Sequence, residues 1–262
     1  THSMPVLYAC TVFLSAFLLF LVQPIIAKQI LPWFGGSASV WTTCLVFFQA
    51  LLLAGYAYSH WSARSLRPRP QAVVHIILLV ASCLVLPIIA SPDWKPQGNE
   101  DPGLRIVLLL GATVGLPYLL LSTTGPLVQV WFARNLSRVP YRLFALSNLG
   151  SLIGLLAYPF AIEPWISTRV QSLAWSAGFV AFAVLCSASA WLSRHANPVA
   201  GAYDDSSGNA ESHDGADSAS RPPTLASRLM WLTLSATGSM LLLAVSNHIC
   251  QNIASIPFLW IV

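Results

Sequence analysis

Long apolar runs separated by short polar connections dominate the chain. A helix crosses a bilayer core with about 20 consecutive apolar residues, because each residue adds about 1.5 Å. Seven stretches meet this length and an eighth begins at the end of the chain. They are residues 6–27, 40–61, 72–90, 104–132, 143–162, 170–192 and 229–250, followed by 253–262. The pattern predicts an all-α, polytopic integral membrane protein with about seven complete transmembrane helices.

One hydrophilic stretch divides this pattern. Residues 196–225 hold five carboxylates among Ser, Gly, Ala and Pro, a composition that cannot bury enough apolar surface to fold. We therefore expect a six-helix membrane bundle at 4–193, a disordered cytoplasmic linker at 194–227 and the start of a second membrane bundle at 228–262. Because 253–262 is too short to cross a membrane, we expect a truncated chain. Six spans, a long loop and further spans are the layout of two-half secondary transporters, which favours an MFS-like arrangement.

Composition and charge agree with a membrane location. Hydrophobic residues make up 56% of the chain and charged residues 8%, against about 25% charged in soluble domains. Nine of the 13 Lys and Arg residues lie in alternate loops, namely those after the second, fourth and sixth stretches. Since positive charge marks cytoplasmic loops, we expect a multi-pass inner-membrane protein with a cytoplasmic N-terminus. The bilayer is its expected partner, and the net charge of +4 is too small to indicate nucleic-acid binding.

Sequence motifs for catalysis or metal binding are missing. The five cysteines are widely spaced and form no CxxC pair, so neither a disulfide framework nor a zinc site is indicated. No glycine-rich nucleotide loop, HExxH or GxSxG motif occurs. We therefore expect no catalytic residue, no metal site and no cofactor in this segment.

Polar side chains inside the apolar runs are the candidate binding groups. Such groups are costly in hydrocarbon and generally face a bundle interior or a water-filled cavity. They occur in or beside the first, second, fifth and seventh stretches, and the candidate substrate-binding residues are Gln23, Lys28, Gln49, Glu163, Asn247, His248 and Gln251. For each, the alternative is a structural role: packing between helices, a satisfied kink, or a solvated carboxylate in the case of Glu163.

Two further motifs have structural interpretations. Gly125-Pro126 interrupts the fourth stretch, and it predicts either a broken helix at a binding site or a kink satisfied by neighbouring hydroxyls. Gly150 and Gly154 form a small-xxx-small pair, which lets a second helix approach closely. We expect Asn148 and Ser151 to hydrogen-bond at that contact.

Two segments resemble a known family. FLLFLVQPIIAKQILPWFGGSASVWTTCLVFFQALLLAGYAYSH, residues 17–60, is similar to the opening of bacterial fused transporter-like/spermidine synthase-like membrane proteins, and NHICQNIASIPFLWIV, residues 247–262, is similar to a later part of them. The resemblance implies an MFS-like membrane portion followed by a cytoplasmic aminopropyltransferase-like domain. That domain would lie beyond residue 262, so no catalytic residue of the family maps onto this chain.

Three functions remain open from the sequence. The first is a transporter-like module that binds or moves a small polar or cationic metabolite, for which the resemblance suggests a polyamine. The second is a non-catalytic membrane anchor for a cytoplasmic aminopropyltransferase-like domain. The third is an accessory subunit of a larger membrane complex. Further expected partners are the missing C-terminal portion and other membrane subunits.

Overall fold

The structure, a computed structural model, describes residues 3–96, 101–136, 141–194 and 224–252. These residues are helical and contain no strand. The helices are α1 (Ser3–Phe34), α2 (Ala38–Ser65), α3 (Pro68–Cys83), α4 (Pro102–Leu110), α5 (Leu116–Leu136), α6 (Tyr141–Ala157), α7 (Thr168–Ser193) and α8 (Leu225–Asn252). Single π-helical turns, Gly111–Gly115 and Tyr158–Ile162, join α4 to α5 and extend α6.

Six helical segments of the described chain are long and apolar enough to cross a bilayer. They are Met4–Phe34, Ser39–Ser65, Pro102–Asn135, Arg142–Ile162, Thr168–Ser193 and Leu225–Val245. The predicted polytopic helical membrane protein is confirmed at this level, whereas the count of seven spans is not. The stretch that falls short is α3, whose 16 residues extend only about 24 Å across a core of about 30 Å.

The prediction of a continuous third helix over 72–90 was wrong beyond Cys83. A turn follows α3, and the chain then runs without helical structure to Ala90. Proline explains the break, because Pro87 has no N–H and disfavours helical backbone at the residue before it. The exposed peptide groups are satisfied by side chains instead: Ile88 N–H donates to Ser176 Oγ at 3.2 Å, and Ala90 N–H donates to Gln29 Oε1 at 3.0 Å.

Helix α1 occupies the centre of the bundle. It packs against α5, α6 and α7 and touches α2, while α2 packs against α4 and α5, and α3 packs against α7. About half of its apolar window is buried inside the bundle, and Val22, Ile25 and Ile26 are almost fully buried. The core of the bundle is therefore built around this helix.

Glycines set the two closest helix contacts. A Cβ atom at Gly150 would lie 2.7 Å from the Phe13 carbonyl oxygen, and one at Gly154 would lie 2.9 Å from that of Phe17. The small-xxx-small pair therefore brings α6 against α1, as the sequence predicted. Gly55 does the same between α2 and α5, where a Cβ would collide with the Ser122 side chain.

The fourth stretch is a helix from Pro102 to Asn135 that continues through Gly125-Pro126. The interpretation as a broken helix was wrong, because α5 runs on through Pro126. The preceding hydroxyls bond to carbonyls one turn back: Thr123 Oγ1 and Thr124 Oγ1 both donate to Leu120 O, at 2.7 and 3.1 Å. These bonds do not reach the Ser122 carbonyl, which is the group that loses its helical donor because Pro126 has no N–H.

Parts of the predicted domain layout lie outside the described residues. Most of the expected linker, at 195–223, and the expected eighth span, at 253–262, are among them. Helix α8, the first helix after the linker, packs against α2. Its 18-residue apolar window is not buried by any part of the chain that the structure describes.

Candidate functional site

A cavity of about 320 Å³ lies among helices α1, α2, α5, α6 and α8. In α1, α2, α5 and α6 the lining residues lie near the middle of the apolar span, so a bilayer crossed by these spans would have the cavity near its centre, whereas Leu242 lies near the end of its own span, Leu225–Val245. Ser15, Ala16, Leu19, Phe20, Gln23, Leu45, Phe48, Gln49, Leu52, Tyr56, Tyr118, Leu121, Ser122, Gly125, Ser147, Ser151 and Leu242 form its wall. A mostly apolar wall with a few convergent polar groups is typical of small-molecule sites.

Gln23 and Tyr118 form the direct polar contact across this cavity. Gln23 Nε2 donates to Tyr118 Oη at 3.3 Å, which links α1 to α5. The Phe48 ring packs on Tyr118 with 4.8 Å between ring centroids and holds the phenol in place. Sequence reasoning selected Gln23 but missed Tyr118. The available signal was the spacing of Tyr118 and Ser122, which puts two polar groups on one helix face.

Three serines of the wall turn their protons away from the cavity. Ser15 Oγ donates to Val12 O at 3.0 Å, Ser122 Oγ to Leu119 O at 2.6 Å, and Ser151 Oγ to Ser147 O at 3.0 Å. A hydroxyl has one proton and two acceptor lone pairs. These serines therefore offer acceptors, and not donors, to a molecule in the cavity.

Gln49 is the second candidate residue that the structure brings to the cavity. It projects from α2, which places its amide and that of Gln23 on two helices of one wall. An amide offers two N–H donors and one carbonyl oxygen. Gln23 and Gln49 together can therefore orient a ligand that both donates and accepts hydrogen bonds.

Lys28 and Glu163 lie elsewhere, at the end of α1 that follows the cavity. Lys28 Nζ is 3.1 Å from Glu163 Oε1, and about a third of each side chain is exposed. Both residues are absent from the cavity wall that the structure describes. The Tyr158 hydroxyl donates to Pro24 O at 3.2 Å beside them, so this end of α6 is fastened to α1.

The candidates on α8 are only partly described. Asn247 and Gln251 lie in the helix, but their side chains are outside the described residues. His248 is exposed. Helix α8 contributes Leu242 to the cavity wall, and this residue lies about one and a half turns before Asn247.

Sequence reasoning also missed the polar groups that tie the bundle together. Gln71 accepts from Arg134 Nη1 at 2.9 Å and donates to Ser62 Oγ at 3.0 Å. Asn135 donates to both Tyr8 Oη, at 2.9 Å, and Ser193 Oγ, at 3.0 Å. These bonds join five helices at the end of the bundle opposite Lys28 and Glu163.

A buried His75 continues the polar stripe of α3 one turn beyond Gln71. Its side chain is fully buried, with Nδ1 3.4 Å from Tyr58 Oη and Nε2 3.6 Å from Cys186 Sγ. The Trp131 ring packs edge-on at 5.7 Å between centroids. These contacts make His75 a packing group between α2, α3, α5 and α7. No cluster of three His, Cys, Asp or Glu side chains occurs in the described part of the chain.

Asn148, for which a hydrogen bond at the glycine contact was predicted, is exposed, and Ser151 bonds within its own helix. The prediction that the two hydrogen-bond across this contact was wrong. The contact is made by Gly150 and Gly154 against the α1 backbone.

Comparison of the sequence with protein-family models and with curated proteins finds no match, and no solved structure matches the chain. The function is therefore argued from the cavity.

Proposed function

We propose that this chain is a transporter-like membrane module that binds, and in the complete protein moves, a small polar metabolite. The observation that carries the proposal is the mid-membrane cavity lined by Gln23, Gln49, Tyr118 and Ser122. Polar groups at this depth cost free energy unless they are paired or solvated. A passive anchor would gain nothing from a half-open cavity lined by amides and hydroxyls.

The pairing of the helices supports an MFS-like arrangement. If α4 and α5 are counted as one helix, and α3 is included although it is shorter than a full span, the helices from α1 to α7 fall into two sets of three. In these two sets α1 corresponds to α5, α2 to α6, and α3 to α7. The contact of α1 with α6 then corresponds to that of α5 with α2, and the contact of α1 with α7 corresponds to that of α5 with α3. All four contacts occur. Nested three-helix repeats of this kind characterise the halves of MFS transporters, whose sites lie near the midplane.

Ligand retention tests the proposal. The purified protein is equilibrated with a pool of small polar metabolites, and the compounds retained after gel filtration are identified by mass spectrometry. The Gln23→Leu/Gln49→Leu double variant keeps side-chain size but removes both amides, so it should lose the specifically retained compounds. Thermal unfolding should change little, since the only hydrogen bond removed is that to Tyr118.

A matched control is Asn148→Leu, which removes an amide from an exposed face of α6. It should retain the same compounds as the wild type. If the double variant also retains them, the cavity is not a binding site and the proposal fails.

One observation favours a second candidate, the accessory subunit. Helix α8 exposes an apolar surface over most of its length, and it contacts the described bundle chiefly through α2. Crosslinking from Leu234 or Leu241, both largely exposed, would test it. Crosslinks to a different protein in native membranes favour the accessory subunit, and crosslinks within one polypeptide favour the transporter-like module.

A further inference from the structure

We infer that the ligand of the cavity is uncharged, and that it carries hydroxyl or amide groups on a compact carbon skeleton. The inference rests on the proposed function, because it takes the cavity to be the binding site. The charge, the hydrogen-bonding groups and the apolar surface of the cavity wall together indicate which class of metabolite fits.

The described wall of the cavity carries no charged side chain. None of the described residues that line the cavity is Asp, Glu, Lys, Arg or His. The chain after Arg228 contains no Asp, Glu, Lys or Arg, so the remainder of α8 adds no carboxylate or ammonium group. A charged molecule taken out of water near the bilayer centre needs an opposite charge or a coordinating shell, and it is otherwise strongly disfavoured.

Lys28 and Arg134, the charged residues that follow the cavity on α1 and α5, already have partners. Lys28 lies five residues beyond Gln23, about 7.5 Å along the helix axis, and forms the ion pair with Glu163. Arg134 lies three turns beyond Ser122 and donates to Gln71 Oε1 and Ala63 O. Neither residue is in the wall of the cavity, so neither supplies a counter-ion for a ligand.

The hydrogen-bonding groups point to a ligand with both donors and acceptors. Three of the four serine oxygens in the wall, those of Ser15, Ser122 and Ser151, accept, since their protons are committed to backbone carbonyls. Tyr118 Oη accepts from Gln23, which leaves the phenol proton to donate. Hydroxyls and amides match such a mixed wall. An ammonium group has donors only and a carboxylate has acceptors only.

Aromatic and aliphatic side chains form the rest of the wall. The rings of Phe20, Phe48 and Tyr56 lie beside the polar groups, and they offer apolar surface to the C–H faces of a ligand. A compact polyol or amide satisfies both surfaces at once, because it places polar groups and carbon atoms within a few ångströms of each other.

Charge selectivity can be measured directly with thiol reagents. The variant Gln49→Cys is prepared in the full protein, with Cys10, Cys83 and Cys250 changed to Ser and the buried Cys44 and Cys186 retained. Modification rates are compared for hydroxyethyl, trimethylammonioethyl and sulfonatoethyl methanethiosulfonate, which are neutral, cationic and anionic. Each rate is divided by that of a Gly36→Cys variant, whose thiol lies in the exposed connection between α1 and α2.

The uncharged reagent should react roughly tenfold faster, relative to the Gly36→Cys variant, than either charged reagent. Adding Ser151→Asp to the cavity should then raise the relative rate of the cationic reagent. If that rate does not rise, the selectivity reflects size and not charge, and the inference is overturned.

Two other results separate the inference from the function on which it rests. Charged reagents that react within about twofold of the neutral one would overturn the uncharged class while leaving a water-accessible binding cavity in place. If no reagent modifies the Gln49→Cys variant although all modify the Gly36→Cys variant, the cavity is closed to polar molecules. That result would overturn the proposed function together with the inference.

Discussion

Four glutamines in helices α1, α2 and α3 serve two different purposes. Gln23 and Gln49 line the cavity, whereas Gln29 and Gln71 hold neighbouring segments together through several hydrogen bonds. Sequence alone identified Gln23 and Gln49 as candidates, but it gave no means of separating the two purposes. The partners decide the purpose, and they can be far away along the chain: Tyr118 is 95 residues from Gln23, and Ile88 is 59 residues from Gln29.

Loss of the Gln29 amide should loosen the segment that follows α3. Gln29 bonds Ile88 O, Ala90 N–H and Ser172 Oγ, and at about 0.6 kcal/mol per membrane hydrogen bond Gln29→Leu should cost about 2 kcal/mol of unfolding free energy. Unfolding of the wild type and the variant in mixed micelles measures this loss of unfolding free energy. Ser172→Ala removes only one of the three bonds and should cost about a third as much; equal costs would contradict this assignment.

Gly150→Ala should destabilise the protein by about 1–3 kcal/mol, because the added methyl would overlap the Phe13 carbonyl and push α6 off α1. Gly111→Ala provides the control, since a Cβ there meets no atom within 4 Å. Alanine is the better helix former, so the control should be neutral or stabilising. Thermal unfolding of the two variants, measured side by side, tests this explanation. A similar loss of stability in both variants would rule out the steric cause.

At the scale of elements, the positions of the helices were predictable and their ends and breaks were less so. Apolar length located the second, fourth, fifth, sixth and seventh stretches to within five residues of the observed spans, whereas the first span continues seven residues beyond its predicted end, to Phe34. Proline was ambiguous: Pro24, Pro32 and Pro126 stay inside helices, whereas Pro87 follows the end of α3. The chain can leave the helix before Pro87 because Gln29 and Ser176 lie close enough to bond the peptide N–H groups of Ala90 and Ile88. A single sequence does not show how close these side chains are to that segment.

Exchange of charge tests the contact between α1 and α6. Lys28→Glu places two carboxylates together and should lower the unfolding temperature. The double variant Lys28→Glu/Glu163→Lys restores opposite charges and should recover most of the loss. The pair is partly exposed, so its contribution should not exceed about 1 kcal/mol. If the double variant is as unstable as the single one, the ion pair does not fasten these helices.

For the whole molecule, sequence reasoning reached the helical membrane class but not the count of spans or the grouping of the helices. Composition alone distinguishes a protein that faces lipid from one that faces water. The central position of α1 has no such signal, because an apolar helix in the core and an apolar helix in lipid have the same composition. The cavity was equally hidden, since its wall combines residues from five helices.

Membrane orientation stays a prediction from the distribution of Lys and Arg, and cysteine labelling of intact cells can test it. A thiol introduced at Arg67, between α2 and α3, should be protected from an impermeant reagent, and one introduced at Pro96 should react. Both positions are exposed in connections, so folding should be unaffected. Labelling of the two from the same side would contradict the orientation.

The central helix is also the first to be synthesised, and its partners come late. Tyr8 bonds Ser193, which is 185 residues further along the chain. At about 5–20 residues per second, a ribosome needs roughly 10–40 s to cover that distance. Until then the Tyr8 hydroxyl lacks its native partner on α7, whereas Gln23 gains Tyr118 of α5 earlier, after 95 residues. Thr11 and Ser15 bond carbonyls of their own helix, those of Leu7 and Val12, as soon as α1 has formed. Slow translation therefore prolongs the time for which Tyr8 and Gln23 lack their partners, and the bundle closes around its first helix only when α7 has been made.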